Sequence, residues 1–335
     1  MGRILVTGGA GYIGSHIVRV LSDRGQDVVV VDTLARGHRA ALGGVRLIES
    51  DFADEAMLEA ELAGGEVEFI VHMAAWCEVG ESMENPAKYY TNNLTRSMRL
   101  LEAVRRHRVR GIVFSSTAAT YGEPRQTPIT EDHPQRPTNP YGETKLAFER
   151  ALDWYHRAYG IGYVALRYFN AAGAHPDGTI GEDHRPESHI VPRLLQGVLE
   201  GQRPVPIFGN DWSTPDGTCV RDYVHVVDLA QAHVLAIDAL RSGDVQAEAF
   251  NLGSGEGFSV LQVIDTVGKV TGQRPPTRDA PRRPGDPATL VAASDRIRAR
   301  LGWKPEFQTL TQIVSTAWEW HRTHPDGFGS SGSGS

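Results

Sequence analysis

Arg3-Ile4-Leu5-Val6-Thr7-Gly8-Gly9-Ala10-Gly11-Tyr12-Ile13-Gly14 decides the fold. A short apolar run enters a cluster of glycines. Ile13, Ile17, Val20 and Leu21 then recur at helical spacing between Tyr12 and Arg24. Strand, glycine turn and helix in that order predict the first β–α unit of a parallel sheet. Gly8, Gly11 and Gly14 permit a tight turn and close backbone approach to a pyrophosphate. The helix amino terminus adds free N–H groups and a positive dipole end. The plain alternative is a glycine-rich turn with no ligand. Against it, Asp27-Val28-Val29-Val30-Val31-Asp32 reads as a second apolar strand, and Asp32 ends it 18 residues after Gly14. A carboxylate there suits a ribose diol and repels a 2′-phosphate, which favours NAD over NADP. Arg36 and Arg39 nearby weaken that preference.

Outward from this unit the pattern repeats. Val45 to Glu49, Phe69 to His72, Gly111 to Ser115 and Gly162 to Leu166 read as strands. Ala53 to Ala63, Pro86 to Arg106 and Pro140 to Tyr159 read as helices between them. The expected fold class is α/β, a doubly wound parallel sheet of Rossmann type with a smaller carboxyl-terminal substrate-binding lobe. Residues 1–170 form the expected NAD-binding domain and 171–328 the lobe, with a crossover back to the main sheet. Val220 to Val227 is the strand expected to return there, followed by a helix over Asp228 to Leu240, and Ala249 to Leu252 is a further short strand. Residues 329–335 are only Gly and Ser and read as an appended linker.

Composition narrows the partners. The chain has 335 residues, 40% of them hydrophobic and 22% charged, so a large core is available. Net charge is −7 and no basic block occurs, which argues against nucleic acid. No apolar run approaches a membrane span. Cys77 and Cys219 are the two cysteines, too few for a disulfide framework. With the first strand already at Arg3, the expected location is the cytoplasm. The histidines, including His133, His175, His184 and His225, show no metal-ligand spacing, and no metal is expected.

Chemistry concentrates at Tyr141-Gly-Glu-Thr-Lys145 and Ser115-Ser116-Thr117. Tyrosine and lysine four apart share a helix face, and an ammonium beside a phenol favours phenolate. The expected effect is a lowered Tyr141 pKa. A Tyr-Lys pair alone is common on any helix surface. A Ser-Ser-Thr run at the carboxyl edge of a sheet strand is where ligands and catalysis gather. Thr117 could bridge a substrate oxygen and the phenol. His72-Met73-Ala74-Ala75 either admits a flat ring or simply packs tightly. Asp51, Phe52, Asn92 and Asn93 serve either the cofactor or helix caps. Arg221, Arg282 and Arg283 suit phosphates or ordinary surface ion pairs. Cys77 has no partner that would make it a nucleophile.

These residues together resemble the extended short-chain dehydrogenase/reductase family, and within it the UDP-glucose 4-epimerases. The likeness runs from Arg3 to about Pro325. Beyond the glycine turn and Tyr-x-x-x-Lys it includes Val79-Gly80-Glu81-Ser82, Arg167-Tyr168-Phe169-Asn170 and Gly173-Ala174-His175-Pro176. It continues through Ile207-Phe208-Gly209-Asn210-Asp211, Arg221-Asp222-Tyr223-Val224-His225-Val226 and Asn251-Leu252-Gly253. The resemblance implies a tightly held NAD, a UDP-sugar substrate, inversion at C4 through a transient 4-keto sugar, and a homodimer through the helices over Pro86 to Arg106 and Pro140 to Tyr159. It implies Tyr141 as base, Lys145 as its electrostatic partner and Thr117 as relay. Tyr12, Ile13, Asp32, Thr33, Leu34, Asp51, Phe52, Met73, Ala74, Ala75, Asn92 and Phe169 would join Gly8, Gly11, Gly14, Tyr141 and Lys145 around NAD. Thr117, Tyr141, Asn170, His189, Ile190, Phe208, Arg221, Arg283, Asp286 and Leu290 would meet the nucleotide sugar.

The chain departs from the pattern in places. Cys77 stands where many members carry a lysine, and Leu290 where some carry a tyrosine that screens out N-acetylated sugars. UDP-N-acetylglucosamine, UDP-xylose and UDP-glucuronate 4-epimerases therefore stay open. Ala118 and Ala119 lack the acid a 4,6-dehydratase needs. A non-catalytic NAD-sensing regulator could dispense with Tyr141. An ordinary dehydrogenase would consume added NAD.

Overall fold

The computed structural model describes residues 2–201, 204–283 and 285–329; most of the 329–335 stretch, expected to be a linker, lies outside them. The amino-terminal half runs β1 (Arg3–Thr7), α1 (Tyr12–Asp23), β2 (Val28–Asp32), β3 (Arg46–Glu49), α2 (Glu55–Leu62), β4 (Val67–His72), α3 (Val79–Glu84), α4 (Pro86–Tyr89), α5 (Ser97–Arg106), β5 (Gly111–Thr117), α6 (Pro140–Tyr159) and β6 (Gly162–Tyr168). There follow β7 (Asn170–Ala172), α7 (Ile190–Glu200), β8 (Val205–Phe208), β9 (Val220–Arg221), β10 (Tyr223–His225), α8 (Val226–Ser242) and β11 (Ala247–Leu252). The chain closes with β12 (Phe258–Ser259), α9 (Val260–Thr271), β13 (Thr277–Ala280), β14 (Thr289–Leu290), α10 (Asp295–Leu301) and α11 (Leu310–Thr323).

Seven parallel strands form the main sheet in the order β11-β6-β5-β4-β1-β2-β3. Alternate side chains along each strand reach opposite faces. Ile4, Val6, Val28 and Val30 pack with residues of α1 and α8 on one side. Leu5, Val29, Val31 and Ile112 pack with residues of α2, α5 and α6 on the other. Both faces are covered, which is why these strands read as continuous apolar runs. Chain order reverses between β1 and β4, and a crevice opens there beyond the carboxyl ends of the strands.

One expected connection is wrong. The segment Val220 to Val227 does not rejoin the main sheet. Asp222 splits it into β9 and β10, which pair with β12 and β14 and with β7 respectively. The strand that returns is β11, paired in parallel with β6 from Ala247↔Tyr163 to Leu252↔Tyr168. Its first residues alternate charged and small and gave a weak strand signal. The stretch Pro86 to Arg106 is helical as expected, but its middle, Tyr90–Arg96, winds as a wider π-type turn between α4 and α5. The lobe has its own core, in which α7, α9 and α11 pack around Leu194, Ile264 and Val314. No helix among the described residues is long and apolar enough to cross a membrane.

Candidate active site

A cleft of about 960 Å³ lies over the switch point, between the sheet edge and the lobe. Every residue expected to contact NAD or the nucleotide sugar lines it except Leu34, while the candidates Asn93 and Arg282 lie outside its lining, Arg282 paired with Asp211 at 2.7 Å. Leu34 instead packs on the core beside α1, and its N–H donates to Asp32 Oδ1 at 2.9 Å.

The floor is built by glycines. Gly8 has φ +70°, and a Cβ there would lie 2.6 Å from Ala74 N. A Cβ on Gly14 would lie 2.2 Å from Gly8 O, so α1 can approach the turn this closely only without a side chain. Gly11 is the N-cap of α1 and supplies no side-chain cap. The first N–H groups of α1 therefore point at the cleft unsatisfied by a side chain, as an anion site requires. Asp32 ends β2 with its carboxylate fixed by Ala10 N (3.0 Å) and Leu34 N. Arg36 pairs with Glu78 at 3.1 Å and Arg39 with Glu49 at 2.7 Å, so both arginines near Asp32 are already engaged. The donor set thus fits a dinucleotide with a free ribose diol.

The wall is set by α6. Asn139 caps it by accepting from Gly142 N at 2.8 Å, and Pro140 occupies the first turn. A Cβ on Gly142 would lie 2.5 Å from Ala119 O, so glycine lets this turn press against the end of β5. Tyr141 is thereby brought into the cleft beside Thr117, whose hydroxyl accepts from Ala119 N at 3.1 Å and acts on the phenol electrostatically. One turn on, buried Lys145 donates from Nζ to Ser115 O at 2.7 Å. Behind them, buried Arg167 grips Glu149 with contacts of 2.6 to 3.1 Å, and Ser116 Oγ donates to the same carboxylate. This network ties α6 to β5 and β6. His72, between Thr7 Oγ1 (2.7 Å) and Ser97 Oγ (2.9 Å), joins β1 and β4 to α5.

The far end is cationic. Arg221 leaves β9, and Arg283 lies over the Phe208 ring at 4.0 Å. Arg193, on the first turn of α7, faces them and has no side-chain partner among the described residues. Sequence reasoning missed Arg193, because one arginine on an amphipathic helix carries no signal. Asp222, fully buried, accepts from Ser254, Gly255 and Ala292 and so fixes the loops around Arg221 and Leu290.

The model of the NAD dependent epimerase/dehydratase family matches residues 4–253 of this sequence. The chain belongs to that family. A UDP-glucose 4-epimerase of Halalkalibacterium halodurans is 52% identical over 325 residues, 97% of this chain and 97% of its own. Among solved structures, a UDP-glucose 4-epimerase matches with TM-score 0.93 and 48% identity over 97% of this chain and 99% of its own. The enzyme from Bifidobacterium longum, in complex with NAD+ and UDP, matches with TM-score 0.92 and 38% identity over 97% and 99%.

In this family member the electrostatics of the Tyr-Lys pair differ from the expectation of a lowered phenol. Burial pushes the Tyr141 phenol well above its ordinary value, with the nearby Thr117 hydroxyl pulling the other way. Lys145 is not among the groups that shift it; its own ammonium donates to Ser115 O, and burial lowers it to about 8. Other groups in the site have structural duties. Tyr12 Oη donates to Gly173 O at 2.6 Å. Asn93, fully buried, holds the Trp76 backbone by both its amide atoms at 2.9 Å. Asp51 pairs with Arg96 at 2.9 Å and caps the turn into α2 through Ala53 N. His225 stacks on Phe307 with ring centroids 3.6 Å apart, away from chemistry.

Proposed function

We propose that the chain interconverts UDP-galactose and UDP-glucose by inverting C4 of the hexose. One observation carries the reading. Tyr141, Thr117 and Lys145 meet at the end of β5, facing the glycine turn across the cleft, while Arg193, Arg221 and Arg283 gather at its far end. Hydride acceptance at C4, and its return to the opposite face, is the chemistry bound NAD supplies. Once the positive charge of bound NAD, beside Lys145, offsets the burial that keeps the phenol protonated in the empty cleft, Tyr141 takes the C4 hydroxyl proton, directly or through Thr117, and gives it back after the sugar has turned. Lys145 supplies positive charge beside the nucleotide ribose. Arg221 and Arg283 hold the diphosphate while the hexose rotates, and Arg193 adds a third guanidinium. Phe208 offers a flat face to the uracil side of the ligand. The glycine turn and Asp32 hold pyrophosphate and ribose.

Leu290 favours a wider sugar range as a second reading, since it leaves the sugar end of the cleft without a bulky ring. Incubation with UDP-galactose and, separately, UDP-N-acetylgalactosamine, without added NAD, followed by sugar analysis, tests both. Conversion of neither would overturn the proposal. The lobe, residues 171–328 apart from α8 and β11, is the part we assign to the nucleotide sugar. The working form we assign is a homodimer through the helical stretches Pro86 to Arg106 and Pro140 to Tyr159. Tyr90, Trp154 and Tyr159 are exposed large apolar side chains on those segments, and light scattering on the purified protein tests the assignment. Two unpaired cysteines suit a reducing cytosol, where we place the enzyme.

A further inference from the structure

The segment Glu182-Asp-His184-Arg-Pro-Glu187-Ser-His189 leads into α7 along the cleft wall. One donor atom from each of Glu182, His184, Glu187 and His189 falls within 4.8 Å of the others. His184 Nδ1 lies 3.2 Å from Glu182 Oε1 and 3.6 Å from Glu187 Oε2. His189 Nδ1 lies 2.5 Å from Glu182 Oε1 and 3.6 Å from Glu187 Oε1. Ligand atoms placed tetrahedrally around zinc at about 2.0–2.2 Å are about 3.3–3.5 Å apart. Three of these four separations are close to that edge, the two to Glu187 through different oxygens, while the 2.5 Å His189–Glu182 contact would open on metal binding.

A second observation is independent of the clustering. The Glu187 carboxylate is oriented by backbone donors, Ser188 N at 2.7 Å and His189 N at 2.8 Å, both on Oε1. Its Oε2 is buried in a side chain only 5% exposed and has no hydrogen-bond partner. A buried carboxylate oxygen without a partner is costly unless something cationic satisfies it. Glu182 is just as buried, at 4%. Two carboxylates in so small a volume carry a charge that is balanced either by protonating both His184 and His189 or by a divalent ion beside neutral imidazoles.

We propose that Glu182, His184, Glu187 and His189 form a binding site for a divalent transition metal, of which zinc suits the donors best. Two imidazoles and two carboxylates match zinc rather than the all-oxygen shells of magnesium or calcium. Four protein ligands make a closed, structural site, not a catalytic one. The ion fixes the segment that ends at the N-cap of α7, and so the placement of Arg193 one turn further on. The segment also touches the nucleotide side of the cleft, since Ser188 Oγ donates to Glu78 at 3.1 Å and His184 meets Tyr12 edge-on at 6.2 Å. This site does not depend on the proposed epimerase activity.

The test uses the full chain, stripped with EDTA, desalted and titrated with zinc sulfate against a chromophoric chelator. The expected result is one zinc per chain with an apparent Kd below about 1 µM. Glu187→Gln and His184→Ala should each weaken binding by at least about tenfold to a hundredfold, the loss seen even for residues behind the ligands. Cobalt(II) loaded in place of zinc should give the intense visible bands of a four-coordinate centre. No stoichiometric uptake, or variants that bind as tightly as the parent, would reduce the cluster to two His–Glu ion pairs. If the variants do not fold, uptake and the cobalt spectrum of the unaltered chain decide alone.

Discussion

Tyr141 and Lys145 sit one helical turn apart, and burial favours the neutral form of both. It raises the phenol and lowers the amine. Tyr141→Phe should keep its circular dichroism and lose about 10²–10⁴-fold in kcat, the usual worth of a positioned base. The Lys145 ammonium is present below about pH 8 and lost above it. The kcat profile should therefore fall as pH rises through about 8. Lys145→Arg, which stays charged, should move that falling limb to higher pH if it retains turnover. A profile that stays flat to pH 10 in the parent would remove Lys145 from the reaction. Leu290→Tyr should abolish any turnover of UDP-N-acetylgalactosamine and spare UDP-galactose. The ratio of the two rates measures this directly.

The elements carry a different dependence. Helix α6 is held to β5 and β6 by the buried Glu149–Arg167 pair. Removing one member leaves the other charge buried and unpaired, which costs about 3–5 kcal/mol. Glu149→Gln should lower the urea midpoint accordingly. An unchanged midpoint would show that the pair contributes nothing. The strands and α6 were legible in sequence because their signals are local: apolar runs, Asn139-Pro140 at a helix start, glycines at a turn. The return of β11 to the sheet was not, because strand pairing depends on contacts more than 80 residues away in the chain, as from Ala247 to Tyr163. The depressed phenol was wrong for a related reason. Spacing places an amine near a ring, but burial depends on everything packed around both. Glu182 and His189 likewise carry no recognised metal spacing, and only the turn of the chain between them brings their donor atoms together.

At the scale of the whole molecule, acid is the threat. Burial lowers His16 and His233 to about 4, and His72 and His225 to about 3. Each is neutral when folded and takes up a proton on unfolding below its ordinary value of about 6.5. Their contribution to stability is complete above that value and is lost as pH falls toward 4 and 3. At pH 5 the loss is at most about 2 kcal/mol for each. Urea midpoints should drop between pH 7 and pH 5, and His233→Leu, which also removes an orphaned buried nitrogen, should soften the drop. Equal midpoints at both pH values would contradict this. The placement of β11 has a consequence for synthesis. The outer flank of β6 stays open, and α1 lacks the cover of α8, until about residue 252 has left the ribosome. The nucleotide-binding half therefore cannot mature ahead of the rest as a separate bead. A gene fragment ending at Asn170 should yield inclusion bodies, and co-expression of residues 171–328 should return it to the supernatant.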